Sequence, residues 1–524
     1  MGNQSKRRTS KVGAALGAVD ATDTSASISP AATAAAGSLR AGVAKNNITT
    51  NAKGVVIKDP LYVKALVLDD DKTKVAIIAM DTTAIGGRRI SQRILDDVGE
   101  DFLPKLRSRI QKDLKIPGCN VLVNASHTHP PGRLLCDDDE QIERTFDAVS
   151  RAVQSMTPVT IGTGVGYEDR ITINRTLRLK NGQDWSIRRT NPCPPDDEVA
   201  ELGAIDPEIG IIRIDRTDGR PLAVVYNFAC HLLLGVPGGG VTADFPGFAS
   251  KVIEENLGHD TMALFLQGAG GDIVEIFNKD VSRPRNSEEI GITLGLSTLT
   301  ALRDIETKNV KLNVISETID LPRRTDIPDV IATLQQEQAE LLASLRFTNL
   351  NFKTFLPLYL QHVLSPDYPS NYSYRYLQAA KIGSVDLAAM DSQNQEDLDK
   401  YLAGIYAMEK LARIQDKIAT LEKHQEINDH AGEPTIPAEV QGIRIGDGVL
   451  IASPMEVLVE VGLNVKKASP YKHTLIAADS NGYIHYGPPA EQYDRGGYEV
   501  TECFLAPQWQ HIFETKAAEI IRRL

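Results

Sequence analysis

Asn120-Val121-Leu122-Val123-Asn124-Ala125-Ser126-His127-Thr128-His129 is an apolar run that ends in two imidazoles. A strand sends alternate side chains to one face, so an extended chain through His129 would point His127 and His129 the same way. Pro130-Pro131-Gly132 follows and cannot continue a hydrogen-bonded ladder, which ends the strand. Two imidazoles are thereby delivered to a sheet edge or loop mouth, where binding and catalytic groups concentrate. Neutral imidazole is a frequent metal ligand and titrates nearest neutral pH. Taken alone, the pair fits two hydrogen-bonded histidines in a turn equally well.

Around this run, apolar periodicity lays out a mixed architecture. Val63 to Leu68 and Lys74 to Met80 read as strands, the second ending at Asp81. Helical spacing covers Arg89 to Leu114, Glu140 to Met156 and Phe248 to Leu257, and Val159 to Leu179 alternates like a strand. Ile211 to Arg216 and Leu222 to Cys230 form a hairpin across Thr217-Asp218-Gly219-Arg220, whose Asp-Gly is a turn signal. Met262 to Leu266 is a buried strand running into Gln267-Gly268-Ala269-Gly270-Gly271-Asp272. The expected fold is α/β (mixed α+β), with mixed sheets flanked by helices. Residues 327–427 are rich in Leu, Ala, Gln, Glu and Lys and read as a helical insertion, notably Val330 to Leu345 and Asp397 to His424. Strands are expected again at Ala438 to Val449 and Leu458 to Lys467, then a final amphipathic helix from Ile512 to Leu524.

Composition narrows the function. With 524 residues, 42% hydrophobic and 24% charged, the chain is long enough for one large or two fused globular units. A net charge of −12 argues against nucleic acid or an anionic membrane surface as partner. No apolar run reaches the length of a membrane span. Cys119, Cys136, Cys193, Cys230 and Cys503 are scattered and never spaced as Cys-x-x-Cys, so a metal would be held by imidazole, carboxylate or phenolate. Residues 1–38 read as a disordered leader or an export signal: Lys6-Arg7-Arg8 precedes a short apolar stretch, and Ala34-Ala35-Ala36-Gly37-Ser38 resembles a cleavage region.

A third histidine, His231, ends the strand Ala223-Val224-Val225-Tyr226-Asn227-Phe228-Ala229-Cys230-His231. The glycine-rich loop Val236 to Gly247 follows and carries Asp244; glycines allow close backbone approach to a ligand or simply tight turning. Ala452-Ser453-Pro454-Met455-Glu456 places a carboxylate after another apolar run. Asn481-Gly482-Tyr483-Ile484-His485-Tyr486-Gly487-Pro488 comes next, then Tyr493 and Gly496-Gly497-Tyr498-Glu499. Asp81, Asp244 and Asp272 are read as structural hydrogen-bonding groups, and His485 as facing away from its neighbour Tyr486.

In their order, these segments resemble the catalytic domain of the neutral/alkaline (non-lysosomal) ceramidase family, from Leu39-Arg40-Ala41-Gly42-Val43-Ala44-Lys45 to the C-terminus. The resemblance continues through Ser126-His127-Thr128-His129, Ile173-Asn174-Arg175, Phe228 to His231, Gln267 to Asp272, Pro454-Met455-Glu456 and Asn481 to Tyr486. It implies a zinc ion held by His127, His231, Glu456 and Tyr486, with His129, Arg175 and Tyr498 facing the substrate. The implied activity is hydrolysis of an N-acyl amide, as in sphingolipid metabolism, by zinc-activated water. Zinc with nitrogen and oxygen ligands acidifies a water and polarises a carbonyl. A nearby imidazole can relay protons, and an arginine and a tyrosine can stabilise an oxyanion.

Two departures bear on substrate. Ceramidases carry a serine where this chain has Val274, in Asp272-Ile273-Val274-Glu275-Ile276, and valine can neither attack nor donate a hydrogen bond. The family's C-terminal β-sandwich domain is not expected here, so the chain resembles the shorter bacterial relatives. Alternative readings keep the metal site but make it a lyase, esterase or glycoside-cleaving enzyme on a polar small molecule. Two others are a TIM-barrel metal amidohydrolase and a non-catalytic binding protein on the same scaffold.

Overall fold

The computed structural model describes residues 39–87, 98–129, 136–188, 193–233, 240–258, 260–277, 286–365, 368, 374–383 and 386–524. The leader 1–38, Pro130 to Arg133 and the first part of the glycine loop lie outside them.

Two sheets stacked face to face form the centre. The larger has eight strands in the spatial order Met262–Gln267, Pro221–Phe228, Glu208–Arg216, Thr157–Tyr167, Arg40–Asn47, Tyr62–Asp69, Lys74–Met80 and Val121–Ala125. Its interior pairs are antiparallel, while each edge strand pairs in parallel, Val121–Ala125 on Lys74–Met80 and Met262–Gln267 on Pro221–Phe228. The second sheet orders Leu312–Pro322, Thr435–Ile445, Gly448–Ala452 and His473–Ala477. Leu66, Ile77, Ile212 and Leu264 of the first sheet share one core with Ile443, Leu450 and Leu475 of the second.

Helices cover the outer faces. Phe102–Leu114 and Asp138–Gln154 pack on one half of the larger sheet, and Asp244–Leu257 and Ser287–Leu302 on the other. Val459–Ala468 and Trp509–Arg523 cover the second sheet. The result is four layers, helix, sheet, sheet, helix. Strands buried on both faces read as continuous apolar runs, as in Lys74–Met80 and Met262–Gln267. Truncating Ile77 to Ala in such a strand costs about 2–5 kcal/mol. The mixed, layered sheets rule out a TIM barrel.

The structure corrects several local expectations. The strand before the histidines ends at Ala125, because His127 adopts a left-handed backbone (φ 64°). Leu458 to Lys467 is not a strand but the helix Val459–Ala468. Val459, Val461, Leu463 and Val465 alternate, which mimics period two, yet Leu458, Val461, Gly462 and Val465 form one buried helical face. Val159 to Leu179 breaks into Thr157–Tyr167, Thr172–Asn174 and Thr176–Leu179, and Ala438 to Val449 is two strands of a hairpin. Of Arg89 to Leu114, the described helix is Phe102–Leu114, and residues 88–97 lie outside the described residues.

The helical insertion is an arm. Helix Ile327–Ser344 leads outward and lies against the 46-residue helix Asp386–Ala431, with Glu337 paired to Lys410 at its side. At 1.5 Å per residue the long helix spans roughly 70 Å. Its inner part touches the sheets' side of the molecule, with Arg413 over the Trp185 ring and the His424 ring 4.1 Å from Phe504. Phe352–Leu364 and Tyr374–Ile382 pack on its outer part, where Phe355 stacks on Tyr401 and Arg375 pairs with Asp391.

Candidate metal centre

The ends of four strands meet at one buried point. The loop after Val121–Ala125 is pinned by Ser126 N–H to Met80 O and His127 N–H to Thr82 O, both 2.9 Å. His129 N–H donates to Leu232 O at 3.2 Å, which ties this loop to the one carrying His231. His231 N–H in turn donates to Ile273 O at 2.8 Å. Glu456 sits in a two-residue strand paired in parallel with Tyr486–Gly487, so one ladder delivers the carboxylate and the phenol together. His127, Asp479, Asn481 and His485 all have positive φ, and they occupy the two loops that meet here. A left-handed backbone at a non-glycine residue costs free energy and persists where the surroundings fix it, as at binding sites.

The side chains converge. Glu456 Oε2 lies 3.2 Å from His127 Nε2 and 3.2 Å from His231 Nε2. His129 Nε2 is 2.9 Å from His127 Nε2, and the Tyr486 hydroxyl is 3.4 Å from His231 Nε2. His127, His231 and Glu456 are each at most 2% exposed. His127, His129 and His231 form one group of metal-capable donors and His127, Glu456 and Asp479 another, each within 4.8 Å.

Hydrogen bonds on the far side of each ring decide what the near side offers. His127 Nδ1 is 2.9 Å from Thr83 O, and His231 Nδ1 is 2.7 Å from Gly270 O. A carbonyl oxygen only accepts, so both Nδ1 atoms carry hydrogen and both neutral rings turn a bare Nε2 lone pair inward. Two lone pairs then face a carboxylate oxygen at 3.2 Å. That contact is repulsive unless a proton or a cation stands between them. Backbone carbonyls orienting ligand imidazoles in this way are the usual support of a metal site. The donor set of imidazole nitrogen, carboxylate and phenol oxygen fits a divalent cation.

The charge balance carries the same message. Burial works against charge on His127, but Glu456 and Asp479 beside it hold its pKa up to about 9. Burial and the Arg175 guanidinium hold His231 down to about 4. Burial, with His127 and His231 beside it, holds His129 well below the ordinary imidazole value. Burial would raise Glu456, yet the His127 charge and the two imidazole contacts hold it well below the ordinary range. Without a metal, the cluster keeps a proton where a cation would sit.

Arg175 stands against Tyr486, donating from Nη2 to its hydroxyl at 3.1 Å and to Gly271 O at 2.8 Å. Glu499 fixes the guanidinium through Nε at 2.7 Å, and Ser186 fixes Glu499 at 2.7 Å. The Tyr498 ring lies 5.6 Å from the Tyr486 ring, with the Arg188 guanidinium 3.6 Å from its centroid. All seven side chains singled out from the sequence thus gather in one region. Asp272 accepts from Val459 N–H and Asn174, Asp244 from Phe245 N–H and Asp81 from Tyr62 N–H, all local structural bonds. Val274 is fully buried in a strand paired with Thr172–Asn174.

Sequence reasoning missed Tyr483, Asp479, Glu499 and Thr83. Tyr483 donates its hydroxyl to Glu456 Oε1 and lines a cavity of about 900 Å³ with Gly87, Leu103, Ile427 and His430. A signal for Tyr483 was present, since it lies inside the Asn481 to Tyr486 motif. Nothing in the sequence marked Thr83, whose backbone oxygen acts rather than its side chain.

Among solved structures, neutral ceramidase from Pseudomonas aeruginosa superposes with a TM-score of 0.57, covering 93% of this chain and 75% of that one at 17% identity. The fold is similar to that of neutral ceramidase. A second structure, described as ceramidase complexed with C2, matches with a TM-score of 0.57 and 15% identity, covering 93% of this chain and 76% of that one. No family model and no curated protein matches the chain. A ceramidase-like fold with a buried His/Glu/Asp cluster able to hold a metal is what sequence and structure establish together.

Proposed function

We propose that this protein is a zinc-dependent hydrolase that cleaves an N-acyl amide, with ceramide-like lipids as the first substrate class. The observation that carries the reading is the meeting of two inward Nε2 lone pairs and the Glu456 carboxylate, 3.2 Å apart, on a ceramidase-like fold. His127, His231, Glu456 and Tyr486 are proposed to hold the ion. When bound, zinc supplies Lewis-acid polarisation of a carbonyl and acidification of water.

The remaining roles belong to the chain. His129 is neutral at physiological pH by virtue of its burial and its charged neighbours, so it can accept a proton as water adds to the acyl carbon. It then returns that proton to the nitrogen as the C–N bond breaks, leaving a carboxylic acid and an amine, between which a proton passes to give carboxylate and ammonium. Arg175, held rigid by Glu499, keeps positive charge beside the Tyr486 phenol, where oxyanion charge would be offset. Tyr498, its ring 5.6 Å from that of Tyr486 and 5.4 Å from the Arg175 guanidinium, is proposed to flank the substrate on the same side. Val274 leaves no hydroxyl for a serine route.

The test is fatty-acid release from short- and long-chain N-acylsphingosines by zinc-loaded protein. Release that Glu456→Gln abolishes supports the proposal. Inactivity of the fully loaded protein on every N-acyl amide tried would overturn it.

A further inference from the structure

A second cavity, of about 370 Å³, opens between helix Asp244–Leu257 and one end of strands Tyr62–Asp69 and Lys74–Met80. None of the side chains that converge on the candidate metal centre lines it. Its volume is within the range of small-molecule sites. The apolar lining comes from the Tyr62, Phe248 and Phe265 rings and from Pro60, Ala79 and Pro246. Three lysines and three carboxylates also line the cavity, so its lining as a whole is neutral. Just outside it, Lys58 beside Asp59 and Glu255 beside Lys251 add one charge of each sign.

The charges are unevenly matched. Glu254 accepts from Ala263 N–H at 3.1 Å and is shared by Lys45 and Lys64, at 3.4 and 3.7 Å. Lys64, 9% exposed, also donates to Ala263 O at 2.7 Å, which ties the helix to the edge strand Met262–Gln267. Lys251 is exposed, with Glu255 3.9 Å away. Asp59 accepts from the Thr242 hydroxyl and from Ala243 N–H. Asp81 accepts through Oδ2 from Tyr62 N–H at 2.8 Å, and among the described residues it has no other hydrogen bond and no ion pair. Its Oδ1 is therefore open to a donor in the cavity. Burial lifts the Asp81 carboxyl to about 6, with Lys64 opposing, so at neutral pH the group is ionised. A charge held away from water is costly until it is paired.

We propose that this cavity binds a small zwitterion, an α-amino acid with an apolar side chain. The ligand's ammonium donates to Asp81, its carboxylate meets Lys45 and Lys251, and its side chain lies among the three rings. The neutral lining is what selects a zwitterion, since a ligand of net charge would leave that charge unmatched in a partly desolvated site. Aromatic faces add attraction for the ammonium. An α-amino acid is the smallest class that carries both charges beside an apolar group. The site does not depend on the hydrolase reading, and its test needs neither zinc nor substrate.

The experiment titrates the full chain calorimetrically with L-phenylalanine and L-leucine. Each is run beside its amine analogue (phenethylamine, isopentylamine) and its acid analogue (hydrocinnamate, isocaproate). At least one amino acid is expected to bind saturably, with both of its analogues weaker by at least about tenfold. Asp81→Asn keeps an acceptor for Tyr62 N–H and removes the charge. It is expected to weaken binding at least about tenfold, with an unchanged circular dichroism spectrum. The double variant Lys45→Gln, Lys251→Gln, changed only at exposed side chains, is expected to weaken it roughly fivefold. The proposal fails if neither amino acid binds saturably, or if an amine or acid analogue binds as tightly as its amino acid. It also fails if folded Asp81→Asn or the double lysine variant binds as well as wild type.

Discussion

Tyr483 donates its phenol hydroxyl to Glu456 Oε1, while the other oxygen of that carboxylate faces the two imidazoles. The bond fixes which oxygen is free for a cation. Tyr483→Phe keeps the ring that packs beside Gly87 and removes only the donor. Loss of such an outer partner typically costs about 10–100-fold in metal affinity. Zinc affinity of Tyr483→Phe, measured by competition with a chelator, is expected to fall within that range. An unchanged affinity would mean that Glu456 is positioned by its backbone alone.

Zinc binding should be linked to a single proton. In the cation-free protein His127 is protonated up to about pH 9, whereas His231, held at about 4, is already neutral above pH 5. A cation competes with the His127 proton, so acid weakens binding. Log affinity is expected to rise by about one per pH unit between roughly pH 5 and 8. The phenol of Tyr486, raised by burial and by Glu456, adds a second proton only if it binds as phenolate, which would steepen the slope toward two. A flat profile would remove His127 from the ligand set.

Much of this centre was legible in the sequence because polar residues punctuate apolar strands where the strands end. His127, His231 and Glu456 each follow a run buried on both faces, and such ends cluster when the strands share a sheet stack. The reason His127 meets His129 was not legible. It is not strand alternation but a left-handed residue, and backbone sign is invisible to a period count. The helix Val459–Ala468 imitates a strand in sequence because its valines alternate, and only the packed face at Leu458, Val461 and Val465 distinguishes the two. Partners that act through backbone oxygen, at Thr83 and Gly270, leave no mark on side-chain identity.

Glycine at 271 is required by a close approach. A Cβ there would stand 2.7 Å from the Glu456 backbone oxygen and 2.9 Å from Leu458 Cδ1. Gly271→Ala must push the Glu456 strand away from the loop whose carbonyl holds Arg175. Such overpacking costs about 1–3 kcal/mol, and zinc affinity should fall with it. Gly404, in the long helix, has open space at its Cβ. Gly404→Ala is expected to stabilise by about 0.5–1 kcal/mol through helix propensity and to leave zinc affinity unchanged. Denaturant titration of both variants separates the two effects; equal stabilities would refute the packing argument.

Asp272 should make the fold less stable as pH rises through the weakly acidic range. Burial, opposed by bonds from Val459 N–H and Asn174, lifts its carboxyl from 3.8 to about 6. The folded chain therefore holds this proton more tightly than the unfolded chain. The stabilisation is complete below pH 3.8 and is lost as pH climbs past 6, in total about 3 kcal/mol. Asp272→Asn keeps an acceptor for Val459 N–H and never ionises. Any steric cost of the amide beside Asn174 does not depend on pH and drops out of the slope. Unfolding free energies of the two proteins, compared from pH 4 to 7, are expected to diverge in favour of the variant by up to about 3 kcal/mol. Parallel curves would show that Asp272 ionises as easily in the fold as in the unfolded chain.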